Sequence, residues 1–184
     1  ITISEIAECI EKNGNLSQIN GIIYKKDNNF FTTHPRQEIM DLDALPLPDY
    51  SGIELDKYLK LPNNFTLDNF FTIIASRSCP YNCTFCFHTV GRKYRQRSIS
   101  SIVAEISYLV EKHNISFFYI ADELFGQNKD RVREFCEFTK NVDNFHWRTN
   151  FRVPDIDEEM VDLLKKGNCS VVSLGLESAD NDIL

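Results

Sequence analysis

From Phe70 onward, short apolar runs alternate with amphipathic helical patterns, and this alternation constrains the fold of the 184-residue chain more than any other feature. Phe70–Ala75 is a brief apolar run that reads as a buried strand. Ser101–Lys112 places Ile102, Ile106, Leu109 and Val110 on one helical face. Ser116–Ala121 reads as a second strand. Lys129–Lys140 reads as a helix with Val132, Phe135, Cys136 and Phe138 turned inward. Phe145–Phe151 is a third strand. Asp157 caps a helix that runs through Lys166 and ends at Gly167, with Glu158 and Glu159 in its first turn. Ser170–Leu176 is a fourth strand. Apolar strands separated by helices predict parallel βα units, because a parallel sheet is covered by its crossover helices. The lack of a glycine-rich phosphate loop favours an α/β barrel or partial barrel over a doubly wound sheet, although periodicity does not separate the two.

Residues 1–68 differ in character and form a predicted small α+β linker region ahead of the main domain at 69–184. A helix near Ser4–Lys12 keeps Ile3, Ile6, Ala7 and Ile10 on one side and ends at Asn13-Gly14. Gly21–Lys26 and Phe30–Thr33 flank Asp27-Asn28-Asn29 as a hairpin. Asp41–Tyr50 contains Pro46 and Pro48 among acidic residues, which oppose helix and sheet alike, and reads as an extended connector along the main domain. Both ends read as cut: Ile1 opens inside a helical pattern without a Met, and the chain stops where a further helix begins. It reads as a piece of a longer protein.

The formal net charge of −7 disfavours non-specific binding to nucleic acid. No apolar run approaches the ~20 residues of a membrane span. The first residues mix Glu5 and Glu8 into an apolar periodicity and do not form a signal peptide. A secreted disulfide domain would be shorter and would spread its cysteines more evenly. These readings place the chain in the cytoplasm.

Three of the six cysteines are clustered in Cys79-Pro80-Tyr81-Asn82-Cys83-Thr84-Phe85-Cys86, directly after the first strand of the alternating region. Packing explains three Cys in eight positions beside a Pro poorly. Thiolates are the usual ligands of iron–sulfur clusters, normally four to a cubane. With three close together, one iron would lack a protein ligand and could bind a substrate. The loop follows a parallel strand, at the end where α/β barrels place their chemistry. A closed zinc site of Cys79, Cys83, Cys86 and His88 is the rival reading. Cys9, Cys136 and Cys169 sit in apolar patterns as buried small hydrophobes.

The motif resembles the Cys-x-x-x-Cys-x-x-Cys of the radical S-adenosylmethionine (radical SAM) superfamily, including the aromatic Phe85 before the last Cys. Asp41–Tyr50 looks like the segment joining a cobalamin-binding domain to a radical SAM core. Arg77-Ser78-Cys79-Pro80 is similar to the Arg-Gly-Cys-Pro lead-in of that subclass, with Ser78 in place of Gly. The basic loop Gly91–Ser98, the acidic Asp122-Glu123-Leu124-Phe125 and Gly175-Leu176-Glu177-Ser178 also resemble its motifs. The subclass includes anaerobic magnesium-protoporphyrin monomethyl ester cyclases and many methylases.

The resemblance implies about four strands of a six-unit radical SAM partial TIM barrel. It implies a 4Fe–4S cluster on Cys79, Cys83 and Cys86, and S-adenosylmethionine reductively cleaved to a 5′-deoxyadenosyl radical. Phe85 would lie beside the adenine. Asp122 and Glu123 would meet the methionine ammonium, unless they are a helix-start acidic pair. Arg152 would pair with the cofactor carboxylate, a surface salt bridge being the alternative. Glu177 and Ser178 would bond ribose or methionine, unless Ser178 caps the next helix. Arg92, Arg95 and Arg97 read as a solvated basic loop. A small-molecule substrate and a reductant such as flavodoxin or ferredoxin are implied partners, with cobalamin possible in the parent protein. A methylthiotransferase-type enzyme and a zinc-stabilised binding module are the alternatives.

Overall fold

The computed structural model describes residues 1–60, 69–87, 90–180 and 182–183. The chain divides into two compact units, Ile1–Ile39 and Met40–Leu184. In the first, helix α1 (Thr2–Glu11) precedes an antiparallel hairpin of β1 (Ile23–Lys26) and β2 (Asn29–Thr32). Asp27 and Asn28 both take positive φ, the backbone a tight hairpin turn requires. Arg36 bonds Glu5 within this unit.

The second unit begins with the proline-rich connector and a short helix α2 (Leu55–Leu59), which the sequence did not suggest. Leu55 and Leu59 are buried in the main core and Tyr50 packs against it. The Tyr50 hydroxyl donates to Glu105 Oε1 at 2.6 Å, so the connector is pinned to the unit it crosses.

The central sheet is formed by β3 (Phe70–Ile73), with a two-stranded antiparallel ladder of β4 (Ser76–Arg77) and β5 (Arg95–Gln96) just beyond it. Helix α3 (Ile99–His113), β6 (Phe117–Ile120), α4 (Lys129–Thr139), β7 (His146–Arg152), α5 (Glu158–Lys166) and β8 (Cys169–Gly175) follow. The four strands of this sheet pair in the order β3-β6-β7-β8, all parallel, as the βα alternation predicts. Helices α3, α4 and α5 begin at side-chain caps: Ser98 accepts from Ser101 N at 3.1 Å, Asn128 from Arg131 N at 3.1 Å and Asp157 from Met160 N at 2.7 Å. Each satisfies a backbone donor that the helix itself leaves unpaired.

All three crossover helices join one apolar core. Ile102, Ile106 and Leu109 of α3, Val132 and Phe135 of α4, and Met160 and Leu164 of α5 meet Phe118, Ile120, Trp147 and Phe151 of the sheet. Right-handed crossovers between successive neighbouring strands put every helix on the same face. A doubly wound sheet would carry helices on both. Trp147 anchors this layer: its ring meets Phe135 edge-on at 4.9 Å and its Nε1 donates to Gly167 O at 2.6 Å. Along β7 the alternate residues Arg148, Asn150 and Arg152 lie on the opposite, polar face, where Arg148 stacks on Tyr119 at 4.5 Å and bonds Ser173 Oγ at 2.8 Å. One face covered by the crossover helices, with alternate residues turned to the other face, is the arrangement of a barrel wall.

Candidate cofactor site

Because the strands are parallel, the residues that follow them share one edge of the sheet. The Cys loop follows β3, Asp122-Glu123 follow β6, Arg152 ends β7, and Glu177-Ser178 follow β8.

The Cys loop leaves the sheet through a tight turn. Ser78 takes φ +67, a left-handed conformation that costs most side chains about 1 kcal/mol or more and suits glycine. Ser78 is 1% exposed, and its hydroxyl donates to Gly91 O at 2.8 Å, which ties the two ends of the loop together. All six cysteines are free thiols; Cys83 and Cys86 are exposed and Cys79 is half-buried. Burial pushes the Cys79 thiol up, and the nearby Glu123, Cys83 and Cys86 push in the same direction against a backbone N–H from Tyr81. No three of the described His, Cys, Asp and Glu side chains gather closely enough to hold a single metal ion. His88, the fourth ligand of the zinc reading, lies outside the described residues.

Phe85 stands 71% exposed beside Cys86, with Phe87 exposed near it. Arg152 reaches the Cys loop directly, its guanidinium stacking on Tyr81 at 3.7 Å, while its Nε stands 3.5 Å from Asp155. Glu123 is exposed, and its charge helps raise the Cys79 thiol. Asp122 is turned inward: it is 2% exposed, and its Oδ1 accepts the backbone N–H groups of Ala75 and Ser76. Burial raises its carboxyl, while Ser76, Ala75 and Arg131 draw it back down. Glu177 is exposed and takes φ +59, a second left-handed residue at this edge. Ser178 Oγ accepts the N–H of Asp180 at 3.0 Å, so its hydroxyl caps the next turn.

Of the basic loop, Arg92 is exposed as expected, whereas Arg95 and Arg97 are turned inward. Arg95 is 5% exposed and donates to Lys93 O and Val90 O. Arg97 pairs with Glu105 and donates to Ile74 O at 3.1 Å. Both guanidiniums bind backbone carbonyls, a use that composition alone does not reveal. Sequence reasoning also passed over Asn150, whose Nδ2 donates to Tyr119 OH at 3.0 Å and Asp122 O at 3.1 Å. The period-two run Arg148, Asn150, Arg152 was the available signal. A cleft of about 240 Å³ lies between the connector and β3, and none of Cys79, Cys83 and Cys86 lines it.

Comparison with known proteins agrees with this architecture. The chain is 29% identical over its whole length to an uncharacterized methyltransferase of Pyrococcus horikoshii, of which it spans 40%. It is 36% identical to an anaerobic magnesium-protoporphyrin IX monomethyl ester cyclase of Rubrivivax gelatinosus over 88% of the chain, spanning 29% of that protein. Its fold matches the radical S-adenosylmethionine methyltransferase TsrM of Kitasatospora setae with a TM-score of 0.76 at 19% identity, over all of this chain and 37% of that one. The family model described as the radical SAM superfamily matches residues 73–184, more than half of the chain, and the chain belongs to that superfamily.

Proposed function

We propose that this chain is the first part of the catalytic core of a radical SAM enzyme, with Cys79, Cys83 and Cys86 as the three ligands of a 4Fe–4S cluster. The observation that carries this reading is the three free thiols on one short loop, at the sheet edge that also gathers Glu123, Arg152 and Glu177. The donor set fits the group. A cubane takes each thiolate on a different iron, so its ligands stand farther apart than those around one zinc, and three thiolates leave one iron open. When bound, the cluster supplies the electron for reductive cleavage of S-adenosylmethionine to a 5′-deoxyadenosyl radical.

The chain's own residues bind and orient that cofactor. Exposed Phe85 offers a ring face to the adenine. Glu123, the outward member of the acidic pair, is placed for the methionine ammonium. Arg152 stacks on Tyr81 through its face, which leaves in-plane N–H donors for the methionine carboxylate. Glu177 and Ser178 are assigned to the ribose or methionine. The parent protein acts on a small-molecule substrate by methylation, cyclisation or oxidation, draws electrons from a flavodoxin- or ferredoxin-type reductant in the cytoplasm, and is associated with cobalamin. In support, TsrM has been solved with a tryptophan substrate and a SAM analog bound, and with cobalamin and a 4Fe–4S cluster bound.

Anaerobic reconstitution with iron and sulfide tests the reading. The expected yield is about one cluster per chain, lost on replacing any of Cys79, Cys83 or Cys86 with Ala and retained in His88→Ala. Stoichiometric zinc without iron or sulfide uptake, or loss of the metal in His88→Ala, favours the closed zinc site instead.

A further inference from the structure

The ladder between β3 and β6 ends at the pair Ile73 and Ile120, followed only by Ala121 N donating to Ile73 O at 2.9 Å. Beyond that point the chain turns away toward Cys79: Ser76 and Arg77 pair with β5, and the Ala75 and Ser76 N–H groups no longer have a partner on β6. A side chain takes over. Asp122 Oδ1 accepts the N–H of Ala75 at 2.7 Å and that of Ser76 at 2.9 Å. From the other side, Arg131 Nη2 donates to Ala75 O at 3.0 Å, and the Arg97 N–H donates to the same oxygen at 2.9 Å. Asp122 and Arg131 are both almost wholly buried. The Asp122 carbonyl accepts from Asn150 of β7, so one residue joins three adjacent strands.

We infer that Asp122 is a positioning residue of the cluster site: its carboxylate clamps the Ala75–Ser76 peptide from which Cys79 is launched, and so fixes the first thiolate relative to the other two. This rests on the cluster reading above. A buried carboxylate is costly and is retained where it satisfies donors that have no other partner. Here it satisfies two donors, three and four residues before the first ligand. A freed Ala75–Ser76 peptide lets Cys79 drift from the geometry that three iron bonds demand. In this role Asp122 acts through the backbone before Cys79 rather than through the metal or cofactor, unlike the role proposed for its neighbour Glu123.

The test compares the lifetime of the reconstituted cluster toward an iron chelator, under anaerobic conditions, in the full chain. Asp122→Asn keeps an oxygen acceptor without the charge, and is expected to lose its cluster about threefold faster than wild type; Asp122→Ala removes the acceptor and should lose it at least tenfold faster. Leu164→Ala, in the core layer on α5, is the stability control. It should lower Tm by an amount comparable to the Asp122 variants and leave cluster lifetime at the wild-type value. A wild-type lifetime in Asp122→Asn overturns the inference, and so does a Leu164→Ala variant as labile as the Asp122 variants. Should Asp122→Ala not fold, Asp122→Asn and the control decide. A wild-type chain that takes up no iron or sulfide refutes the cluster reading itself, a separate outcome.

Discussion

The guanidinium carbon of Arg152 lies 3.7 Å from the centroid of the Tyr81 ring. Arg152 ends β7 and Tyr81 sits between the first two cysteines, so the contact ties the loop to a strand two places away in the sheet. Cation–π pairs at partly exposed sites contribute about 0.5–1 kcal/mol. A double-mutant cycle with Arg152→Met and Tyr81→Leu, read by urea unfolding, should return a coupling of about that size. Zero coupling would mean that the stack does not hold the loop in solution.

Ser78 combines a strained backbone with a useful hydroxyl. Glycine relieves the left-handed conformation but gives up the bond to Gly91 O, and these effects nearly cancel. Alanine keeps the strain and also gives up the bond. Ser78→Gly should be close to wild type, and Ser78→Ala less stable than Ser78→Gly by about 1 kcal/mol, measured by chemical denaturation. Equal stability of the two variants would contradict the turn geometry.

Gly126 packs so closely beneath the site that a Cβ placed there would stand 2.0 Å from Phe151 Cδ1 and Cε1. Both residues are buried, and Phe125, next to Gly126, packs edge-on against Trp147. Gly126→Ala is expected to destabilise by about 1–3 kcal/mol through overpacking. Phe151→Leu should cost less in the Gly126→Ala background than in wild type. A full-sized Phe151→Leu penalty in both would place the clash elsewhere.

Asp43 joins the connector to the start of α3. Its two carboxylate oxygens accept from Ser98 N at 3.0 and 3.1 Å. Burial pushes its carboxyl up, but the Ser98 hydroxyl and N–H, Ser101 and the Arg97 charge together outweigh it and hold the group below its ordinary 3.8. A depressed carboxylate contributes stability that is complete above the ordinary value and disappears as pH falls through the lowered one. Asp43→Asn should therefore melt below wild type at pH 7, with the gap narrowing as the pH falls below 3.8. A constant gap across that range would show that the carboxylate charge plays no part.

The sequence by itself determined the order and type of the main elements. Strand and helix periods differ, 2 against 3.6, and Ile102, Ile106 and Leu109 or the Asp157 cap with Gly167 record them locally. It also located the three thiols and the loops after each strand, because parallel strands send all those loops to one edge. The short ladder of β4 and β5 and helix α2 were not legible, since two to five residues carry too little pattern. Only the assembled fold shows the three crossover helices joining one core on one face, which separates a barrel wall from a doubly wound sheet. It also decided which polar groups face inward. Asp122 and Glu123 are adjacent acidic residues, yet one bonds buried backbone and the other is exposed. Arg95 and Arg97 read as a solvated loop, yet Arg95 bonds the carbonyls of Lys93 and Val90 in its own loop and Arg97 bonds Ile74 O just past β3. Hydrogen-bond demand at the exit of β3 settles these roles, and it exists only once β3, β6 and α4 are assembled around it.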